Sequence, residues 1–164
     1  MKKILYVLLA VMACLFITGF VKADGPSYEV QSYRGTLTLE TWDDATYEEE
    51  LVYHFTTSYN GQYVTLGSAG KMPQGFEIVI PPLVEVEGRT LSQEPEVHNL
   101  GDGYQVKIYN GVSAGDTVKI KVTWRLKNLL YVHQDILLLN WKPISDGDQE
   151  VKKVELQVIP KFAT

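Results

Sequence analysis

The chain has 164 residues, 45% of them hydrophobic, with 10 Tyr, 3 Trp, 13 Gly and a single Cys. That length suits one domain with enough apolar residues for a real core. A formal net charge of −5 at pH 7 argues against nucleic acid or anionic headgroups as partners, since both need a basic surface.

The first element is a leader. Lys2 and Lys3 precede an almost unbroken apolar tract from Ile4 to Val21, and Val21-Lys22-Ala23 offers small residues where a signal peptidase cuts, ahead of Asp24-Gly25-Pro26. Residues 1–23 therefore read as a signal peptide. Because the tract is 18 residues long, close to the lower limit of a bilayer span, an uncleaved anchor is the alternative. Cys14 follows Val11-Met12-Ala13, but residues 15–21 stay apolar where a lipoprotein would turn polar. Cleavage after Ala23 leaves 141 of the 164 residues; losing Lys2, Lys3 and Lys22 leaves 12 basic residues against 20 acidic, a net charge of −8. The mature chain then has no cysteine, which excludes thiol catalysis, thiolate metal sites and disulfides. Residues 24–164 are expected to form one domain outside the cytoplasmic membrane, secreted or membrane-anchored.

Beyond the leader the dominant period is two, the mark of strands with one buried face. Tyr28 and Val30 alternate with Glu29 and Gln31, and Leu37 and Leu39 with Thr36, Thr38 and Glu40. The phase changes around Ser32–Gly35, which predicts a bulge or bend at the glycine. Trp42-Asp43-Asp44 turns the chain into a stretch where Tyr47, Glu49, Leu51, Tyr53 and Phe55 share one face and Glu48 and Glu50 take the other. Tyr59-Asn60-Gly61 is the next turn. Phe76, Ile78 and Ile80 alternate, as do Tyr104, Val106 and Ile108 after Gly101-Asp102-Gly103.

The clearest strand follows Asn110-Gly111. Val118, Ile120, Val122, Trp124 and Leu126 interleave with Thr117, Lys119, Lys121, Thr123 and Arg125, as an antiparallel sheet wet on one side requires. His133-Gln134-Asp135-Ile136-Leu137-Leu138-Leu139-Asn140-Trp141-Lys142-Pro143 is apolar on both sides. It predicts a core strand entered at Asp135 and ended by Pro143, so that Asp135→Ala should destabilise the fold. Past Ser145-Asp146-Gly147, Val154, Leu156 and Val158 form a last strand with Glu155 and Gln157 between them. The expected fold is all-β: an antiparallel two-sheet β-sandwich, immunoglobulin-like in general architecture, of about eight or nine strands.

Several strings resemble chemistry without its context. Gly111-Val112-Ser113-Ala114-Gly115 spells the nucleophile elbow G-x-S-x-G, but a strand follows it rather than the helix that motif needs, so it reads as a hairpin loop. His133 and Asp135 share strand parity and offer a nitrogen and an oxygen; a third ligand is missing, and His54 and His98 lie far off in sequence. Asp146-Gly147-Asp148-Gln149-Glu150 is acidic but lacks the twelve-residue calcium-loop pattern. Glu49 is the informative acid. A carboxylate on an apolar face needs a partner or must be neutral, and it reads either as a structural group paired with a tyrosine hydroxyl or a base, or as a site carboxylate. Tyr59 and Tyr63 flank a polar turn and, with Trp42, are the candidate ligand surface; the alternative is that they cap the core.

Two stretches resemble a known family. Asp44-Ala45-Thr46-Tyr47-Glu48-Glu49-Glu50-Leu51-Val52-Tyr53-His54-Phe55 is similar to the family pattern D-G-S/T-x-V-x-E-x-I-x-Y-x-F with one position fewer. Glu49, Leu51, Tyr53 and Phe55 match it, and Ala45 replaces the glycine. Gly115-Asp116-Thr117, then Thr123-Trp124-Arg125-Leu126-Lys127-Asn128, then Asp135, Leu139 and Asn140-Trp141-Lys142 resemble G-D-T … Y-R-L/V-x-N … D-x-A-x-L/F-x-W-K, with Trp124 in place of tyrosine. The section closes at Val158-Ile159-Pro160. In this order, behind a leader, they resemble the exported N-terminal domain of the predicted bacterial membrane proteins catalogued as domain of unknown function 2207, from about Tyr28 to Pro160. The arginine–isoleucine–proline segment of that family is not recognisable around Gly61–Pro73. The resemblance implies an extracytoplasmic β-sandwich that, in such proteins, a linker and membrane helices follow; it implies no reaction. Reaching Thr164 without a second apolar span fits a piece of a longer membrane protein or a short secreted relative.

The expected function is therefore a non-enzymatic binding or interaction module of the bacterial envelope. Its expected partner is another envelope protein or a cell-wall component, with no nucleic acid and no cofactor, metal or catalytic residue. Glu49, Tyr53, Phe55, Asp135 and Trp141 are expected to be structural and to carry the family resemblance. Two alternatives stand beside it: an envelope hydrolase using Glu49 or Asp135, and a glycan-binding module using Trp42, Tyr59 and Tyr63.

Overall fold

A computed structural model describes residues 27–67, 72–101, 103–144 and 150–162; the leader, its cleavage site and the acidic turn at 145–149 lie outside them. Most of the strand-period sequence becomes strand, with no helix among the described residues. In chain order the elements are β1 (Tyr28–Leu39), β2 (Asp44–Phe55), β3 (Gln62–Leu66), β4 (Glu77–Val86) and β5 (Glu96–Asn99). They continue with β6 (Tyr104–Ile108), β7 (Thr117–Lys127), β8 (Tyr131–His133), β9 (Ile136–Leu138) and β10 (Val154–Pro160). One sheet has the order β10-β1-β2-β7-β4, a second the order β3-β6-β5, and β8 with β9 makes a separate hairpin.

The expectation of a wholly antiparallel fold is corrected at one pair. β10 returns along the free side of β1 and runs in the same direction, Tyr33 opposite Val154 and Leu39 opposite Pro160, so the long sheet is mixed. The predicted irregularity near Gly35 also moves: the register of β1 on β2 shifts between Val30 and Ser32, and Gly35 stays in the ladder opposite Glu49.

Alternation decides which face each long strand buries. Tyr33 and Leu37 of β1, Tyr47, Glu49, Leu51, Tyr53 and Phe55 of β2, and Val118, Ile120, Val122, Trp124 and Leu126 of β7 are buried, and they share one cluster with Val64 and Leu66 of β3 and Val106 and Ile108 of β6. The other face of the long sheet is charged. Across neighbouring strands Glu155 meets Arg34 (3.0 Å), Arg34 meets Glu50 (3.8 Å) and Glu50 meets Lys119 (3.2 Å). Pairs this open to solvent each add little to stability, but they mark that face as wet.

Residues 133–143 do not form the predicted core strand. Gln134 takes a left-handed φ of 44°, the chain turns at Gln134–Asp135, and the stretch folds into the β8–β9 hairpin. Ile136 is 62% exposed, and Val132 and Leu138 are exposed beside it. Asp135 sits exposed in that turn rather than at a sheet end. Asp135→Ala should therefore shift stability by less than about 0.5 kcal/mol, as at an ordinary surface site; a thermal melt showing a larger loss would restore a structural role.

Beyond the hairpin the chain crosses back over the core. Trp141 packs edge-on against Tyr47 with ring centroids 4.4 Å apart, its Nε1–H donates to the Gly67 carbonyl (2.8 Å), and Ile144 bridges Leu66.

Candidate functional site

Two clusters concentrate the chemistry of the core face. The first is built around Glu49, which is 1% exposed. Its direct neighbours across the strands are Gly35 on β1 and Val122 on β7, both small, and this leaves room for larger diagonal neighbours to reach in. The Trp124 indole N–H donates to Glu49 Oε1 (2.6 Å), and the Tyr33 hydroxyl lies 3.1 Å from Oε2 as its donor. Tyr33 also bonds the Tyr47 hydroxyl and reaches the Pro143 carbonyl (3.4 Å), which ties the returning chain to the cluster. A Cβ on Gly35 would collide with the Tyr47 hydroxyl and with Leu156, so the glycine is needed for space.

Burial pushes the Glu49 carboxyl up to about 8; the hydrogen bonds from Trp124 and Tyr33 oppose that rise without cancelling it. Burial likewise lifts the phenols of Tyr33, Tyr47 and Tyr53 well above their ordinary value, so all three stay protonated. The carboxyl is thus neutral near pH 7 and hydrogen-bonded on both oxygens.

The second cluster lies at the end of β2. Tyr28 is opposite Phe55 across the strands, Tyr53 lies one turn of the pleat away, and Tyr59 folds back where it bridges Val112. Tyr28 meets Tyr53 edge-on at 5.8 Å and Tyr59 edge-on at 6.3 Å, and Phe55 lies 5.7 Å from Tyr59. Together with Gly61, Gln62 and Tyr63 these rings line a cavity of about 150 Å³. Tyr63, 52% exposed, forms part of its rim. The Gln62 amide is fixed from behind, donating to the Asn110 carbonyl (2.9 Å) and accepting from Asn110 Nδ2 (3.0 Å). None of the lining residues is charged.

The sequence candidates are thus sorted by position. Tyr59 and Tyr63 share the cavity, but Trp42 does not: it lies at the other end of β2, stacked on Phe162 at 5.8 Å and 15°. Tyr53 and Phe55 are buried as expected and double as cavity walls. Asp135 sits in the β8–β9 turn and is not one of Glu49's hydrogen-bonding partners, Tyr33 and Trp124, whereas Trp141 packs beside that cluster through Tyr47. Ser113 is exposed in a loop where its backbone N–H donates to Asp116 Oδ2 (3.0 Å); the loop joins β6 of one sheet to β7 of the other, which corrects the expected hairpin to a crossover between sheets. Among the described residues no group of three or more His, Cys, Asp or Glu is placed to hold a metal. Sequence reasoning missed Tyr28 and Gln62, and their only advance signal was an aromatic at each end of one predicted strand pair.

Comparison with known proteins gives a family and little more. No curated protein matches the chain. Among solved structures it is similar to an M1 zinc metallopeptidase from Deinococcus radiodurans, at 11% identity and a TM-score of 0.42, over 73% of this chain and 25% of that one. It is also similar to the yeast LTA4 hydrolase in complex with Bestatin, at 13% identity and a TM-score of 0.39, over 60% of this chain and 14% of that one. The chain spans a quarter or less of those proteins, and likeness at this level carries no argument about activity. The family model described as "Predicted membrane protein (DUF2207) N-terminal domain" matches residues 29–163, and the chain belongs to that family.

Proposed function

We propose that this domain is a non-enzymatic, extracytoplasmic binding module of a bacterial membrane protein, built as a β-sandwich of immunoglobulin-like general architecture. In this reading the aromatic cavity at the end of β2 seats the ligand. The observation that carries it is the cavity's lining: four packed aromatic rings, a fifth ring, Tyr63, on the rim, and no charge.

Size and polarity narrow the ligand. An apolar cavity of about 150 Å³ is large enough to hold benzene, whereas drug-sized ligands need roughly 300 Å³ or more. One ring fits, and a nucleotide does not. Tyrosine rings offer flat apolar faces with hydroxyls at their edges, which suits a neutral sugar ring of a cell-wall polymer. The chain's formal net charge of −5 at pH 7 argues against nucleic acid as the ligand.

Titration calorimetry of the chain with cell-wall saccharides tests the reading. Tyr63→Ala should weaken binding about fivefold to tenfold, the loss of about 1 kcal/mol of stacking, without lowering the melting temperature of the half-exposed site. Affinity unchanged in both Tyr63→Ala and Tyr59→Ala would reject the cavity as the seat. Turnover of a wall substrate that Glu49→Gln abolishes would reject the non-enzymatic reading altogether.

A further inference from the structure

The two edges of the long sheet are finished differently. On β4, Pro81 and Pro82 lie where the ladder on β7 is broken and the register shifts between Val79 and Leu83. Proline and irregularity are devices that keep an edge from recruiting another strand. β10 has neither before Pro160, and its pairing with β1 runs without a shift from Val154 to Pro160.

Its backbone groups are correspondingly available. The Lys153 carbonyl accepts from the Tyr33 N–H (2.8 Å), and the Lys161 N–H donates to the Leu39 carbonyl (2.9 Å). Odd-numbered residues therefore turn toward β1, and by the alternation of a strand the N–H and C=O of Val154, Leu156 and Val158 point outward. Among the described residues no strand pairs with that side. The side chains of the same three residues lie on the core face, level with Tyr33, Gly35 and Leu37, yet Leu156 is 54% exposed and Val154 and Val158 are close to it.

We infer that β10 is a self-association edge: β10 of a second copy pairs with it antiparallel about a two-fold axis through Leu156. Matching core face to core face restricts the register to one centred on a residue. Centring on Glu155 would set two carboxylates against each other. Centring on Gln157 would place Pro160, which has no N–H, opposite Val154 inside the new ladder. Centring on Leu156 sets Leu156 against its own copy and Val154 against Val158. It also sets Glu155 against Gln157, whose amide can donate to the carboxylate. Such self-complementarity is what an isologous contact requires. The result is one ten-stranded sheet across two copies, in which six apolar side chains form a single row and no β10 edge is left open.

Cysteine cross-linking reads the register directly. In the full chain with Cys14→Ser, Leu156→Cys should form an intermolecular disulfide at least tenfold faster than Val154→Cys or Val158→Cys alone. Directly opposed residues have Cα atoms about 5.5 Å apart, within disulfide reach, whereas each flanking residue lies about 13 Å along the strands from its own copy. Mixing Val154→Cys chains with Val158→Cys chains should restore cross-linking. In sedimentation equilibrium the Cys14→Ser chain should dimerise, and Leu156→Lys should weaken the dimer at least tenfold with its β-sheet circular dichroism retained. Equal rates at the three positions, a monomeric Cys14→Ser chain, or a dimer that survives Leu156→Lys would overturn the inference. So would cross-linking at Leu156→Cys only to a different added envelope protein, which would give the edge to another chain's strand.

Discussion

Glu49→Gln should remove most of the fall in stability that the native chain undergoes between pH 5 and pH 9. The Glu49 carboxyl has an ordinary value of 4.5 and is pushed up to about 8 in the fold by burial. The folded state thus holds a proton that the unfolded chain has already released across that window. Its stabilising contribution is complete below about pH 4.5 and is lost as pH rises to about 8, where the curve flattens. The loss is on the order of a few kcal/mol, a large share of the stability of a domain this size.

Glutamine keeps a carbonyl for the Trp124 indole and an amide for Tyr33 but cannot ionise, so Glu49→Gln should be the more stable protein at pH 9. Glu49→Ala should instead cost about 3 kcal/mol at pH 6, because it opens a void and strands two buried donors. The acid limb of the profile should be untouched by either change. Glu29 beside Lys152, Glu155 beside Lys153 and Arg34, and Asp116 bonded by Ser113 and Arg89 are held below their ordinary values, so their contributions fade as pH falls below about 4. Melting curves of native and Glu49→Gln chains that stay parallel from pH 5 to pH 9 would refute the assignment.

Strand parity made half of that cluster legible in advance. Counting by twos along β2 puts Glu49 among Tyr47, Leu51 and Tyr53, and the same count finds the buried face of β7 without error. What brings Tyr33 and Trp124 to the carboxyl is the pairing register of three strands, and a single sequence does not display that. Periodicity also cannot show a turn made without glycine or proline. Gln134-Asp135 reverses the chain through one left-handed glutamine, so an apolar run that reads as a core strand becomes an exposed hairpin. At β10 the alternation was right and the burial was wrong. Whether Val154, Leu156 and Val158 are covered depends on what packs above the edge, which is a tertiary fact. The aromatic cavity needed both kinds of information. Tyr28 and Phe55 meet only in the β1–β2 register, and Tyr59 joins them only where its loop bridges Val112.

Trp124→Ala should be the most damaging single substitution in the domain, at about 3–5 kcal/mol, since the side chain is fully buried on β7, between β2 and β4. The more informative change is Trp124→Phe. It keeps most of the packing but removes the N–H that Glu49 Oε1 accepts, leaving a buried oxygen short of a partner at a cost of about 1–3 kcal/mol. That same bond holds the Glu49 carboxyl down against burial, so its loss should carry the carboxyl higher still and extend the alkaline loss of stability beyond pH 8. Combining Trp124→Phe with Glu49→Leu removes donor and acceptor together, and replacing both partners by apolar groups costs less than stranding either one. The double variant should therefore lose clearly less stability than the two single losses added, with the Glu49-linked pH dependence between 5 and 9 removed. Additive losses in urea titrations of the four proteins, with the alkaline limb of Trp124→Phe unmoved, would show that the indole and the carboxyl contribute separately rather than as one bonded pair.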